Sequence, residues 1–136
     1  MYRKIVVPAD LTEKNRAAVA TACELARGGG EILLLHVIET IEDETELDEF
    51  YTRLEAKARA GLERLAAVAR AQGLAVRTEV VYGRRVERIV AEAAAAAADL
   101  IVLASHRLEP GPPGRDWLTI SFRVALLAPC AVLLVK

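Results

Sequence analysis

The sequence is poor in the residues that build metal sites and disulfide frameworks. It contains two cysteines, Cys23 and Cys130, and two histidines among 136 residues. The cysteines lie far apart, each in an apolar context and without CxxC spacing, which argues against a zinc site. We therefore expect two buried free thiols, because free cysteine packs like a small hydrophobic residue. His36 follows four apolar residues and is predicted to be a core or near-core histidine, not a ligand.

Charge of one sign and long apolar runs are also lacking. Eighteen basic and nineteen acidic residues give a net charge of −1, with no basic tract that could neutralise a series of phosphates. No apolar run approaches the roughly 18 residues of a membrane span. The first apolar segment is broken by Pro8 and Asp10 and is too short for a signal-peptide core. We expect a soluble cytoplasmic protein without a nucleic-acid or membrane partner.

Recognisable catalytic motifs are missing as well. No nucleophile lies beside a base at a known motif spacing, no paired carboxylates stand out, and no cluster of metal ligands is visible. The sequence therefore predicts a protein that is not an enzyme, with no catalytic residues and no metal site.

Short apolar segments alternate with segments of helical period over a length typical of one domain, residues 1–136. The predicted strands are residues 5–7, 32–38, 74–81, 100–103 and 131–135. Helices are predicted between them, over the segment that follows Thr12 as N-cap, residues 47–68, residues 84–98, and a last segment ending near Leu127.

This alternation predicts an α/β fold with a parallel sheet and helices on both faces, joined by right-handed crossovers. Residues 74–81 alternate between apolar and polar side chains, which is typical of an edge strand. Residues 100–103 are apolar on both faces and belong near the centre. The alternation alone does not determine the strand order.

Four segments carry a resemblance to a known family: KIVVPAD at 4–10, LLHVI at 34–38, DLIVLASH at 99–106 and APC at 128–130. In their order and spacing they resemble the universal stress proteins. The resemblance implies a doubly wound five-stranded sheet in the order 3-2-1-4-5. It also implies a homodimer paired through the last strand, residues 131–135, which is too apolar for an uncovered sheet edge.

Ligands of such sheets bind where the strand order reverses, here between strands one and four. The resemblance implies that Asp10 contacts a ribose and that adenine lies near Pro8 and Val37. Ser105 would face the same crevice. Asp10 is equally suited to a turn that uses its own carboxylate.

The phosphate side departs from the family pattern of Gly-x-x-Gly followed by Gly-Ser. The three glycine positions fall on Ala104, Arg107 and Leu118, and the serine position falls on Thr119. Glycine lets backbone N–H groups converge on a phosphate without an obstructing Cβ. Thr119 is more suited to an N-cap than to a phosphate contact.

The rest of the loop leaves two interpretations open. Three prolines, at 110, 112 and 113, remove backbone donors, and Asp116 can cap the last helix where a phosphate would bind. Two glycines, at 111 and 114, can instead rebuild the loop, with positive charge from His106, Arg107 and Arg115. Ser121 is predicted to lie on a helix surface.

We therefore expect a non-catalytic universal stress protein that acts in stress adaptation as a homodimer, with weak or absent ATP binding and no required cofactor. The alternative is an ATP- or AMP-binding regulatory switch. The candidate crevice residues are Pro8, Asp10, Val37, Ala104, Ser105, His106, Arg107 and Thr119.

Overall fold

A computed structural model describes residues 2–40, 48–105 and 119–136, and its order of elements follows the predicted alternation. The strands are β1 (Lys4–Pro8), β2 (Glu31–Ile38), β3 (Ala75–Tyr82), β4 (Leu100–Ala104) and β5 (Ala131–Val135). The helices are α1 (Lys14–Leu25), α2 (Asp48–Arg70), α3 (Arg85–Ala95) and α4 (Ile120–Leu127). All neighbouring strands pair in parallel in the order β3-β2-β1-β4-β5, which confirms the predicted topology.

The sheet buries apolar side chains on both of its faces. Alternate residues of β1 and β2 face opposite ways, so Ile5 and Leu34 join one core, whereas Val6 and Leu35 join the other. The first core is closed by α1 and α2, and the second by α3 and α4; their contributions include Val19 and Leu62 to the first, Ile89 and Val124 to the second. Helices therefore cover both faces, as the apolar central strands require.

Edge and central strands lie where the apolar pattern predicts them. In the edge strand β3, Val76 and Val80 pack against the first core, whereas Arg77 is exposed and forms an ion pair with Glu31 at 3.0 Å. In β4 the first four residues are buried. The second edge is β5, which pairs only with β4 among the described strands.

The start of α1 differs from the prediction. Thr12 is not the N-cap: the helix begins at Lys14 after Glu13, whose side chain makes no capping bond. The hydroxyl and the backbone N–H of Thr12 donate instead to the Asp10 carboxylate. The helix start is displaced because the turn competes for the same threonine.

The start of α4 follows the prediction. Thr119 is extended and its Oγ1 accepts a hydrogen bond from the Phe122 N–H at 3.3 Å, so this threonine is the N-cap. Asp116, the other predicted cap, lies outside the described residues.

The opposite end of the sheet is tied together by Asp99, just before β4. Its carboxylate accepts hydrogen bonds from the backbone N–H groups of Arg3 at 2.8 Å and Lys4 at 3.1 Å. Both cysteines are free, as predicted, but only Cys23 is buried; Cys130 is half-buried because it precedes the edge strand β5. Among the described residues, no helix is both long and apolar enough to cross a membrane.

A strained residue, Ala97, follows the C-terminal end of α3. Ala97 has φ of +53°, a left-handed conformation that costs an alanine roughly 1–2 kcal/mol relative to its ordinary backbone. Its N–H donates to the Ala94 carbonyl, so the turn itself is satisfied and only the backbone angle is unfavourable.

Replacing Ala97 with glycine is expected to stabilise the protein by about 1 kcal/mol, because glycine adopts positive φ without a steric cost. Urea unfolding followed by circular dichroism measures the change. The matched control is Ala94→Gly, at an exposed helical position, which is expected to destabilise by about 1 kcal/mol. Equal destabilisation by both variants would contradict the strain at Ala97.

Candidate functional site

A crevice of about 350 Å³ lies at the carboxyl ends of the central strands. Its walls come from the ends of β1, β2 and β4 and from the first residues of α3 and α4. The apolar part of the lining includes Pro8 and Val37. The polar lining consists of Asp10, Asn15, Arg85, Thr119 and Ser121. The crevice therefore occupies the place where the strand order reverses, which is where open α/β sheets bind ligands.

The crevice brings together five of the eight residues predicted for the site, namely Pro8, Asp10, Val37, Ala104 and Thr119. Ser105 is half-buried and its N–H donates to the Val135 carbonyl at 2.8 Å, so its backbone extends the β4–β5 pairing; it is not part of the crevice lining. The predictions for His106 and Arg107 fall outside the described residues.

Three polar residues of the lining were missed from the sequence: Asn15, Arg85 and Ser121. Ser121 was expected on a helix surface, and the structure places it at the crevice instead, in the first turn of α4. Arg85 could have been found from the sequence. A helix that follows a parallel strand begins at the end of the sheet where that strand stops, and this is the end that holds the crevice. No signal in the sequence marks Asn15.

The turn after β1 holds Asp10 in place through local hydrogen bonds. Asp10 Oδ1 accepts the Thr12 N–H at 2.9 Å and the Thr12 hydroxyl at 2.7 Å. The Leu11 N–H donates to Oδ1 of Asn15 at 2.7 Å, and Asn15 is only 2% exposed. Asp10 therefore faces the crevice from a fixed turn, and both roles considered for it, turn and crevice lining, fall on one side chain.

Leu11 adopts a conformation that is unusual for a branched residue. Its φ is +69°, in the left-handed region. Its side chain packs against α2 at Gly61, where an added Cβ would come within 3.0 Å of Leu11 Cδ2. The buried Asn15 bond and the glycine on α2 together hold the strained turn that carries Asp10.

The charge of Asp10 is maintained by its neighbours. Partial burial alone would raise the pKa of the carboxyl, but the two hydrogen bonds from Thr12 and the positive charge of Arg85 outweigh it, so the pKa lies below the ordinary value. Asp10 is therefore an anion in the crevice at neutral pH.

A second cavity of about 470 Å³ adjoins the crevice on the β2 side. Asp10, Val37 and Arg85 line both spaces, and His36, Glu39 and Lys57 are among the residues that line only the second. His36 Nδ1 lies 2.7 Å from the Ala9 carbonyl oxygen and is the donor of that bond. The histidine is half-buried and its Nδ1–H has a backbone acceptor, which agrees with the predicted near-core position.

The predicted phosphate side of the crevice begins at the end of β4. Ala104 is still part of the strand and pairs with Val135, and positive φ is found among described non-glycine residues only at Leu11 and Ala97. Ala104 is thus extended and does not reproduce the left-handed geometry that glycine supplies to a phosphate loop. Within residues 2–40, 48–105 and 119–136, no three His, Cys, Asp or Glu side chains are grouped to hold a metal ion.

The topology defines a doubly wound α/β protein, with a crevice at the strand-order reversal. The model of the universal stress protein family matches residues 1–136, and the chain belongs to that family. No curated protein matches the chain.

Several solved structures share the fold. The protein described as hypothetical protein MJ0577 is 26% identical with a TM-score of 0.81, covering 100% of this chain and 96% of that one. A universal stress protein in complex with cAMP is 22% identical with a TM-score of 0.81, covering 99% and 97%. The universal stress protein from Archaeoglobus fulgidus in complex with dAMP is 19% identical with a TM-score of 0.75, covering 99% and 98%.

The Thr12 hydroxyl is expected to be a main cause of the low pKa of Asp10. Thr12→Val removes that donor and keeps the shape, so the pKa of Asp10 rises toward its ordinary value; NMR titration of the carboxyl carbon measures it. Because the folded pKa is depressed, the associated stability exists at neutral pH and is lost as the pH falls through that pKa.

The control is Thr52→Val, whose hydroxyl donates to the Asp48 carbonyl within α2. This variant is expected to leave the Asp10 titration unchanged. An Asp10 pKa that is the same in Thr12→Val as in the unmodified protein would disprove the role of the hydroxyl.

Proposed function

We propose that this chain is a non-catalytic stress-adaptation protein that binds an adenine nucleotide with a single phosphate in the crevice and binds ATP weakly or not at all. It acts as a homodimer joined through β5. The observation that carries the proposal is the grouping of an ionised Asp10 with the apolar Pro8 and Val37 in one crevice.

These residues suit the two uncharged parts of a nucleotide. Pro8 and Val37 offer an apolar surface for a planar base. Asp10 offers carboxylate oxygens to ribose hydroxyls, and a charged acceptor strengthens such hydrogen bonds. Its turn is fixed by Thr12 and Asn15, so little conformational entropy is lost when the ligand binds.

The size of the crevice supports a ligand with one phosphate. At about 350 Å³ it is at the small end of ligand pockets, which span about 300–1,000 Å³. Two related structures contain cAMP and dAMP, each with a single phosphate. The lost glycines argue against a longer phosphate chain, since Ala104 remains in β4 and the other two glycine positions are Arg107 and Leu118.

The polar groups of the crevice suit binding more than catalysis. Its described lining has one carboxylate, that of Asp10, and no histidine or cysteine. The residues described here therefore form neither a carboxylate pair nor a nucleophile with a histidine base in the crevice. This supports a protein that acts by binding a ligand in the crevice and by associating with a second copy of itself.

Isothermal titration calorimetry is expected to show that the unmodified protein binds AMP. In Asp10→Ala the affinity for AMP is expected to fall by about tenfold or more, because a charge-assisted hydrogen bond is removed. ATP is expected to bind more weakly than AMP. The control is Glu49→Ala, an exposed carboxylate in the first turn of α2. Absence of AMP binding to the unmodified protein would refute the nucleotide function.

The homodimer proposal rests on exposed apolar residues beside the β5 edge. Leu133 on β5 is 37% exposed, and Leu126 and Leu127 at the end of α4 are 68% and 62% exposed. An uncovered strand edge with apolar neighbours favours pairing with another strand. A second copy of the same strand covers the edge and the leucines together.

Leu133→Lys is expected to convert the dimer into a monomer, because it places two like charges across the paired edge. Size-exclusion chromatography with light scattering at micromolar concentration measures the mass. The control is Val68→Lys on α2, where an equally apolar residue is 51% exposed away from β5. A monomeric unmodified protein, or a dimer unaffected by Leu133→Lys, would refute pairing through β5.

A further inference from the structure

Arg85 lies at the junction of the two spaces that surround Asp10. It is the first residue of α3, and it lines both the crevice of about 350 Å³ and the adjoining cavity of about 470 Å³. Among the described residues, it is the only basic side chain in the crevice lining. Its positive charge also contributes to the low pKa of Asp10, after the two hydrogen bonds from Thr12.

Within the described part of the chain, the one ion pair of the Arg85 guanidinium is a loose one. Its Nε lies 3.8 Å from Glu39 Oε1, and the two side chains are 42% and 54% exposed. By contrast, Arg70 approaches Glu63 to 2.7 Å. An exposed pair at the longer distance contributes little, so an anionic ligand can replace Glu39 at small cost. A phosphate can also accept two parallel N–H bonds from one guanidinium.

The backbone around Arg85 adds to its positive field. The N-cap of α3 is Arg84, whose side chain makes no capping hydrogen bond, so no side-chain cap neutralises the helix start. The nearest acidic group of that turn is Glu87, which pairs with Arg84 at 3.6 Å. The α3 start and Arg85 together present positive charge to the crevice.

The crevice thus carries an anion at Asp10 and a cation at Arg85. Such a pair matches a ligand with hydroxyl donors in one part and an anionic group in another. We propose that Arg85 is the anion-binding residue of the crevice, and that it replaces the glycine loop in selecting a nucleoside monophosphate over the uncharged nucleoside. The inference rests on the proposed nucleotide function.

Calorimetry with adenosine and AMP tests the role of Arg85. The unmodified protein is expected to bind AMP about tenfold more tightly than adenosine, as for a hydrogen bond between charged groups. In Arg85→Gln, AMP and adenosine are expected to bind with about equal affinity, because the affinity for AMP falls and that for adenosine changes little. The control is Arg84→Gln, whose side chain is 78% exposed and lines neither space; it is expected to keep the preference.

The possible outcomes separate this inference from the nucleotide function. An AMP preference that persists in Arg85→Gln overturns the inference and leaves the nucleotide function intact. If the unmodified protein binds neither adenosine nor AMP, the nucleotide function fails. Inorganic phosphate is then titrated while the backbone amide signals of Asp10 and Val37 and the Arg85 Nε–Hε signal are followed by NMR. Saturable shifts in the unmodified protein, with the two backbone shifts lost in Arg85→Gln, support an anion site. No shift, or backbone shifts that persist in Arg85→Gln, overturn it.

Discussion

The crevice depends on β1 lying between β2 and β4 with every strand parallel. In this arrangement the carboxyl ends of the central strands and the starts of the helices that follow them meet at one sheet edge. Pro8, Val37 and Ala104 reach the crevice from three adjacent strands, and Arg85 and Thr119 reach it from two helix starts. A change in strand order would separate them.

The turn after β1, which carries Asp10, contains a strained backbone conformation at Leu11. Leu11 has positive φ although it is neither glycine nor asparagine, and the turn persists because Asn15 and Gly61 hold it from two helices. What this strain produces is a carboxylate in a fixed position. No such strain is found at Ala104, the first residue of the predicted phosphate side, which stays in regular strand geometry. The crevice therefore combines a strained turn after β1 with a regular strand end at β4.

The sequence predicts the fold well because the relevant signals are local and repeated. Every strand can be located from the period of the apolar residues, the residues that end helices, and the segment at residues 100–103 that is apolar on both faces. The order of the strands follows from the family resemblance. Thr12 was predicted wrongly because two local bonding patterns, a helix cap and an Asx-type turn, compete for one threonine.

The site is only partly predictable from sequence. The family resemblance identifies Pro8 and Val37, and the strand-end rule together with the resemblance identifies Asp10; all three line the crevice. The same rule places Ser105 at the crevice, which Ser105 does not line. Arg85 could have been found from its position at the start of α3, on the same end of the sheet as the crevice. Ser121 is a polar residue in the first turn of α4, where solvent exposure is the usual expectation, and its placement depends on how α4 packs. Asn15 belongs to the same group, since its burial follows from the turn it stabilises.

A ¹⁵N–¹H correlation spectrum titrated with AMP tests most directly whether the crevice is the ligand site. Saturable shifts are predicted for backbone amides at Asp10, Val37, Arg85 and Thr119, which are distant in sequence and adjacent in the crevice. Shifts confined to another surface, such as the groove between α1 and α2 around Arg16 and Arg64, would contradict this account, as would no shift at all.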